Sequence, residues 1–136
     1  MLERPQDGWT HIVLGKDRYR ASYLTDIPMD CVTSTIIALK YGLPFCVDFD
    51  TEGEYFVILC SSYISNEVEV IYYGEKTELR TYPIKLVELA REIYVDVNDN
   101  FDDWVLWNFD DEEDEETCTY RNLLREKLNE LKSLIG

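Results

Sequence analysis

The sequence predicts an α+β fold: an antiparallel sheet of five to six strands with helices packed on one face, in the order β-β-α-β-β-β-(β)-α-α. Three observations predict it. Runs with strand-like alternation fill most of the N-terminal half, a single run at helical spacing interrupts them after Asp26, and helical spacing returns after Pro83. At 136 residues the chain fits one compact domain over 1–136, with no Gly/Ser linker and no internal repeat to divide it.

Trp9 to Leu14 and Arg18 to Leu24 are β-prone runs separated by Gly15-Lys16-Asp17, a first hairpin. In the second run Tyr19, Ala21 and Tyr23 share one face. The period then changes: Met29, Val32, Ile36, Leu39 and Leu43 form one helical stripe. Asp26 suits the N-cap, Pro28 the first turn, Gly42 the left-handed C′ position, and Pro44 forbids continuation. Strands resume at Phe45 to Asp50 and Glu54 to Ser61, joined across Thr51-Glu52-Gly53. With Asp50 opposite Glu54, Phe49 meets Tyr55, Val47 meets Val57 and Phe45 meets Leu59, all on one buried face. Glu67 to Tyr73 is a further strand, and Glu78 to Tyr82 a short one after the turn at Gly74-Glu75-Lys76-Thr77. Pro83 opens a second helix with Leu86, Val87, Ala90, Ile93, Tyr94 and Val97 inward, weakened at Asn98-Asp99-Asn100. Phe101 to Phe109 fits either continued helix or an irregular aromatic segment. A last helix from Thr117 or Thr119 to Ile135 carries Tyr120, Leu124, Leu128, Leu131 and Ile135.

The cysteines Cys31, Cys46, Cys60 and Cys118 lie far apart, and His11 is the one histidine, so the spacing offers no structural zinc site and no disulfide framework. The N-terminal residues lack the apolar core of a signal peptide, and no window approaches the roughly 18 apolar residues of a membrane helix. A reducing, cytoplasmic setting follows as the expectation.

Net charge is −15, from 28 acids against 13 bases, with a pI near 4.3. Phosphate backbones and anionic membranes would repel such a chain, so neither nucleic acid nor membrane is an expected partner. The acidity is local: no Lys or Arg stands between Arg91 and Arg121, an interval holding 12 of the 28 acids. Phe101, Trp104, Trp107 and Phe109 are interleaved there. One reading is structural, with Asp110 to Glu116 favouring the N-terminus of the last helix or forming a solvated loop, and both tryptophans in the core. The other is a docking surface for a basic protein, in which Asp102, Asp103, Trp104, Trp107, Asp110 and Asp111 combine electrostatic steering with aromatic anchors. Asp48, Asp50 and Glu52, at the tip of the central hairpin, form a second acidic group and a secondary contact in that reading. Asp48-Phe49-Asp50-Thr51-Glu52-Gly53 opens like a calcium loop, but its twelfth position is Leu59 where a bidentate glutamate is required, and no metal is expected.

Phosphate-loop, dinucleotide, serine-hydrolase and zinc-protease signatures are absent. The best nucleophile is Cys31, in the first turns of a helix, with His11 as its only histidine base; both residues also fit as ordinary structural positions. A small enzyme built on that pair, or a self-associating subunit of an assembly, is therefore the alternative to a non-enzymatic binding protein without cofactor.

Trp9, Ser22-Tyr23-Leu24-Thr25-Asp26 leading into a helix, Asp50-Thr51-Glu52-Gly53-Glu54 at a hairpin, and Trp107-Asn108-Phe109 together resemble a group of small bacterial proteins. Similar small acidic chains serve as immunity proteins beside secreted toxins. The resemblance covers most of the chain to Phe109 and departs in the acidic run and last helix. It implies an α+β topology and a bacterial cytoplasmic setting, and it transfers no active site.

Overall fold

The computed structural model describes residues 1–61, 66–107, 109 and 113–136. The chain is α+β, and the described residues form six strands in two antiparallel sheets and four helices: β1 (Trp9–Leu14), β2 (Asp17–Ser22), α1 (Ile27–Tyr41), β3 (Phe45–Asp50), β4 (Tyr55–Cys60), β5 (Val68–Tyr73), β6 (Thr77–Tyr82), α2 (Leu86–Asp99), α3 (Phe101–Val105) and α4 (Glu115–Ile135). The expected single sheet of five to six strands is corrected to a two-stranded sheet, β1-β2, and a four-stranded one, β3-β4-β5-β6. The hairpin lies face-on rather than edge-on. Tyr19 of β2 packs on Phe56 of β4, ring centroids 5.2 Å apart, while the edge of β1 is occupied by the N-terminal segment through Glu3 N–H to the His11 carbonyl at 3.0 Å.

Helix α1 begins and ends where its sequence directs. The Asp26 carboxylate accepts the Met29 N–H at 3.3 Å, and Gly42 takes the left-handed conformation at φ 68° while its N–H returns to the Ala38 carbonyl. Its buried face holds Ile27, Cys31, Val32, Thr35, Ile36 and Ala38, whereas Leu43 falls beyond the helix and is exposed. Tyr120 of α4 donates its hydroxyl to Asp26 at 2.6 Å, tying the start of α1 to the last helix. α1 packs on β3, and α2 and α4 pack on α1 and on each other. Leu89 joins the inward face of α2 in place of Val87, which is exposed.

The central hairpin departs from its expected register by one residue. Asp50 stands opposite Tyr55, Phe49 opposite Phe56, Asp48 opposite Val57, and Val47 opposite Ile58. The cause is the turn. Thr51 to Glu54 close on themselves: the Thr51 N–H donates to the Glu54 carbonyl at 2.9 Å, the Glu54 N–H to Thr51 Oγ1 at 3.1 Å, and the Glu52 N–H to Asp50 Oδ1 at 2.6 Å. These bonds hold Glu52 at φ 60°, a left-handed conformation few non-glycine residues adopt. The connection is thus one residue longer than Thr51-Glu52-Gly53, and a one-residue slip exchanges the two faces of β4. Phe56, Ile58 and Cys60 enter the core beside Phe45, Val47 and Phe49, and Tyr55, Val57 and Leu59 turn outward.

Candidate protein-binding surface

Among the described residues of the acid-rich stretch between Arg91 and Arg121, Asp96, Asp102, Asp103 and Asp114 are committed to internal contacts. α2 leads through Asn100 into the single-turn α3, which turns Trp104 and Val105 inward. Trp104 is wholly buried and Trp107 is 7% exposed, with ring centroids 5.3 Å apart. Trp104 Nε1 donates to the Asp96 carbonyl at 3.3 Å and Trp107 Nε1 to the Thr25 carbonyl at 3.1 Å, so both indoles are satisfied inside the fold. The expectation that these rings anchor a partner is corrected: they are core residues. Asp102 pairs with Arg121, Asp103 with Arg4 at 2.8 Å, and Asp96 accepts the Leu2 N–H at 2.8 Å. Asp114 caps α4 by accepting the Glu116 N–H at 3.0 Å, with Glu115 and Glu116 in the first turn, as acids at a positive helix end should stand. Asp110 and Asp111, the remaining expected contacts of this stretch, lie outside the described residues.

The other expected contacts lie in a different setting. Asp48 and Asp50 belong to the outer face of the four-stranded sheet, and Glu52 is exposed in the turn beyond them. Each strand contributes three residues to that face, and the ladders set them in rows: Cys46–Leu59–Glu69–Thr81, Asp48–Val57–Ile71–Leu79 and Asp50–Tyr55–Tyr73–Thr77. Six are large and apolar or aromatic, three are acids, and none is Lys or Arg. Leu79 is 63% and Tyr55 49% exposed, while Val57, Leu59, Ile71 and Tyr73 are half-buried among their neighbours. Tyr55 and Tyr73 stack with centroids 4.5 Å apart. Among the described residues, neither helix nor loop covers this face to the point of burial. No ion pair to Asp48, Asp50, Glu52 or Glu69 occurs there either.

Burial, with the carboxylates at the β3 border of this face adding to it, moves two neighbouring groups. The Asp30 carboxyl on α1 is pushed up to about 6, first by partial burial and then by the Asp26 and Asp48 carboxylates. Partial burial also raises the Cys46 thiol, with Asp48 adding to the effect.

Cys31 and His11, the nucleophile and base of the enzymatic alternative, stand in different settings. Cys31 is fully buried, its thiol pushed well above its ordinary range by burial and by the Asp30 and Asp26 charges, the reverse of activation. His11 lies in β1 with Nδ1 3.3 Å from the Glu3 carboxylate and 3.4 Å from the Arg18 guanidinium. Cys60 is buried, Cys46 and Cys118 are exposed, and no disulfide joins the four thiols. Among the described residues no cluster of three His, Cys, Asp or Glu side chains is placed to hold a metal ion, and no helix is long and apolar enough to cross a membrane.

The outer sheet face was hidden from sequence reasoning because the expected register placed Tyr55, Val57 and Leu59 in the core. The signal that finds it is the alternative alternation Phe56, Ile58, Cys60, equally apolar and read with a four-residue turn. Comparison with protein-family models, with curated proteins and with solved structures finds no match to this chain.

Proposed function

We propose that the chain is a non-enzymatic binding protein whose acid-bordered sheet face receives a basic protein partner. Its most concrete form is neutralisation of a toxin in the manner of an immunity protein. The supporting observation is the outer face itself: half-exposed apolar rows bordered by Asp48, Asp50 and Glu69 with no cation among them. Exposed apolar area of this kind marks interaction sites on soluble proteins. The carboxylates draw a cationic partner in and repel nucleic acid, while Leu79, Tyr55 and Val57 supply the area whose burial holds it. A basic groove that normally cradles phosphates would meet carboxylates here instead, which is how occlusion would silence it.

Affinity capture from the cell that makes the protein, followed by co-expression of the captured protein with and without this chain, tests the reading. The expected result is a basic protein that slows growth alone and ceases to do so beside this chain. An acidic or neutral captured protein, or one whose effect on growth is unchanged, contradicts it.

A further inference from the structure

The four-stranded sheet has two edges, finished in opposite ways. At β3 the edge is closed at Cys46. Ser34 of α1 accepts the Cys46 N–H through Oγ at 3.0 Å and donates the same hydroxyl to the Cys46 carbonyl at 3.3 Å. At β6 no such closure exists. Thr77 to Thr81 are all exposed, and among the described residues their backbone takes part in pairing with β5 alone. The strand contains no proline and no lysine and pairs with β5 at every position without a bulge, and the charges it carries, Glu78 and Arg80, are of opposite sign. A straight row of unpaired N–H and C=O groups is a template for another strand.

We propose that β6 pairs antiparallel with β6 of a second copy of this chain, about a two-fold axis through Leu79. In that register Glu78 of each copy faces Arg80 of the other, Thr77 faces Thr81, and Leu79 faces Leu79. Charge selects this register over its neighbours. An axis through Arg80 sets two guanidiniums face to face, one through Glu78 sets two carboxylates face to face, and one between Leu79 and Arg80 leaves both ion pairs unmade. Within its own chain Arg80 already lies 3.3 Å from Asp17 and 3.8 Å from Glu78, all on exposed side chains, so the cross-copy pairs extend an existing charge cluster in this one alignment. A two-fold perpendicular to the sheet keeps both outer faces on one side, so the apolar row Val57–Ile71–Leu79 continues into the second copy. Leu79, the most exposed apolar residue of that face at 63%, gains a covering neighbour.

The net charge of −15 opposes association, but β6 itself carries one acid and one base. Asp48 and Asp50 stand three strands away, about 14 Å at the usual strand spacing, beyond the screening length of about 8 Å at physiological salt. A single strand pair is a small interface, and the dimer is weak and concentration-dependent. It uses the sheet edge farthest from Asp48 and Asp50, and it stands whether or not the basic partner exists.

Sedimentation equilibrium from micromolar to millimolar protein at physiological salt tests it, starting from the 16.1 kDa monomer. The wild type is expected to dimerise reversibly. Glu78→Arg and Arg80→Glu each weaken the dimer by about tenfold. The double swap restores it, and the two single variants, mixed, associate with each other. Leu79→Lys, an exposed position where folding is undisturbed, also prevents dimerisation. A wild type that stays monomeric throughout, or a dimer indifferent to the single reversals and to Leu79→Lys, overturns the proposal.

Discussion

Asp48 stands directly opposite Val57 across the β3–β4 ladder, a carboxylate beside an apolar side chain on a face open to solvent. Had β4 entered one residue earlier, Val57 would have met Val47 in the core. That single pairing decides which residues of β4 hold the core and which stand on the open face.

The two faces of β4 should therefore respond differently to substitution. Ile58→Ala is expected to cost about 2–5 kcal/mol, because a fully buried side chain leaves a cavity. Val57→Thr and Leu59→Thr should each cost less than about 1 kcal/mol. Urea denaturation of the three variants checks this, and the opposite order would mean that the slipped register is the native one.

Trp104→Ala is expected to destabilise the fold by about 3–5 kcal/mol. Among the three tryptophans, Trp9 is the one partly open to solvent, lying under the Arg20 guanidinium at 3.8 Å. Acrylamide should accordingly quench a minor part of the emission in the native state, and Trp9→Phe should remove most of that quenchable part.

Helices α1, α2 and α4 were legible because their signals are local, as Asp26, Pro28 and Gly42 act within a turn of α1 and need no distant partner, whereas α3 (Phe101–Val105) fitted helix or irregular segment equally. The six strand-forming runs were legible for the same reason. How the strands assemble was not, since Tyr19 on Phe56 joins residues far apart in sequence and replaces an edge contact by a face contact. The acidic region misled for a related reason. Its counter-charges arrive from Arg4 and Arg121, so a stretch without a base in sequence is partly neutralised in space. Counting charges along a chain cannot reveal that. The hairpin register turned on one residue in a turn, Glu54, whose bonds to Thr51 only the folded geometry displays.

Thiol labelling separates the cysteines by burial. Cys46 and Cys118 should react with a maleimide in the native protein at neutral pH, while Cys31 and Cys60 should react only as the fold opens. Rapid native labelling of Cys31 would revive a catalytic role for it.

Asp30 gives a pH dependence with a definite sign. Its folded carboxyl, at about 6, lies above the ordinary 3.8, so the folded state holds the proton more tightly. The stability this confers is complete below about 3.8, declines as pH rises through about 6, and is gone above that. Asp30→Asn should raise the melting temperature at pH 7 by about 2–4 °C, allowing for solvent screening of a partly exposed group, and the gain should vanish near pH 4. Melting curves across that range check it; a gain that persists unchanged into acid would assign the effect to something other than this carboxyl.

The most direct measurement is the association rate of the captured partner with charge variants on two surfaces, followed as salt is raised. Asp48→Lys combined with Asp50→Lys should slow association by about tenfold or more and flatten its salt dependence, because among the described residues neither carboxylate has an ion pair on the sheet face. Asp102→Asn combined with Asp103→Asn should change the rate by less than about twofold, since those acids already face Arg121 and Arg4. The reverse pattern, with the sheet variants silent and the α3 variants slow, would contradict the assignment of the partner to the outer sheet face.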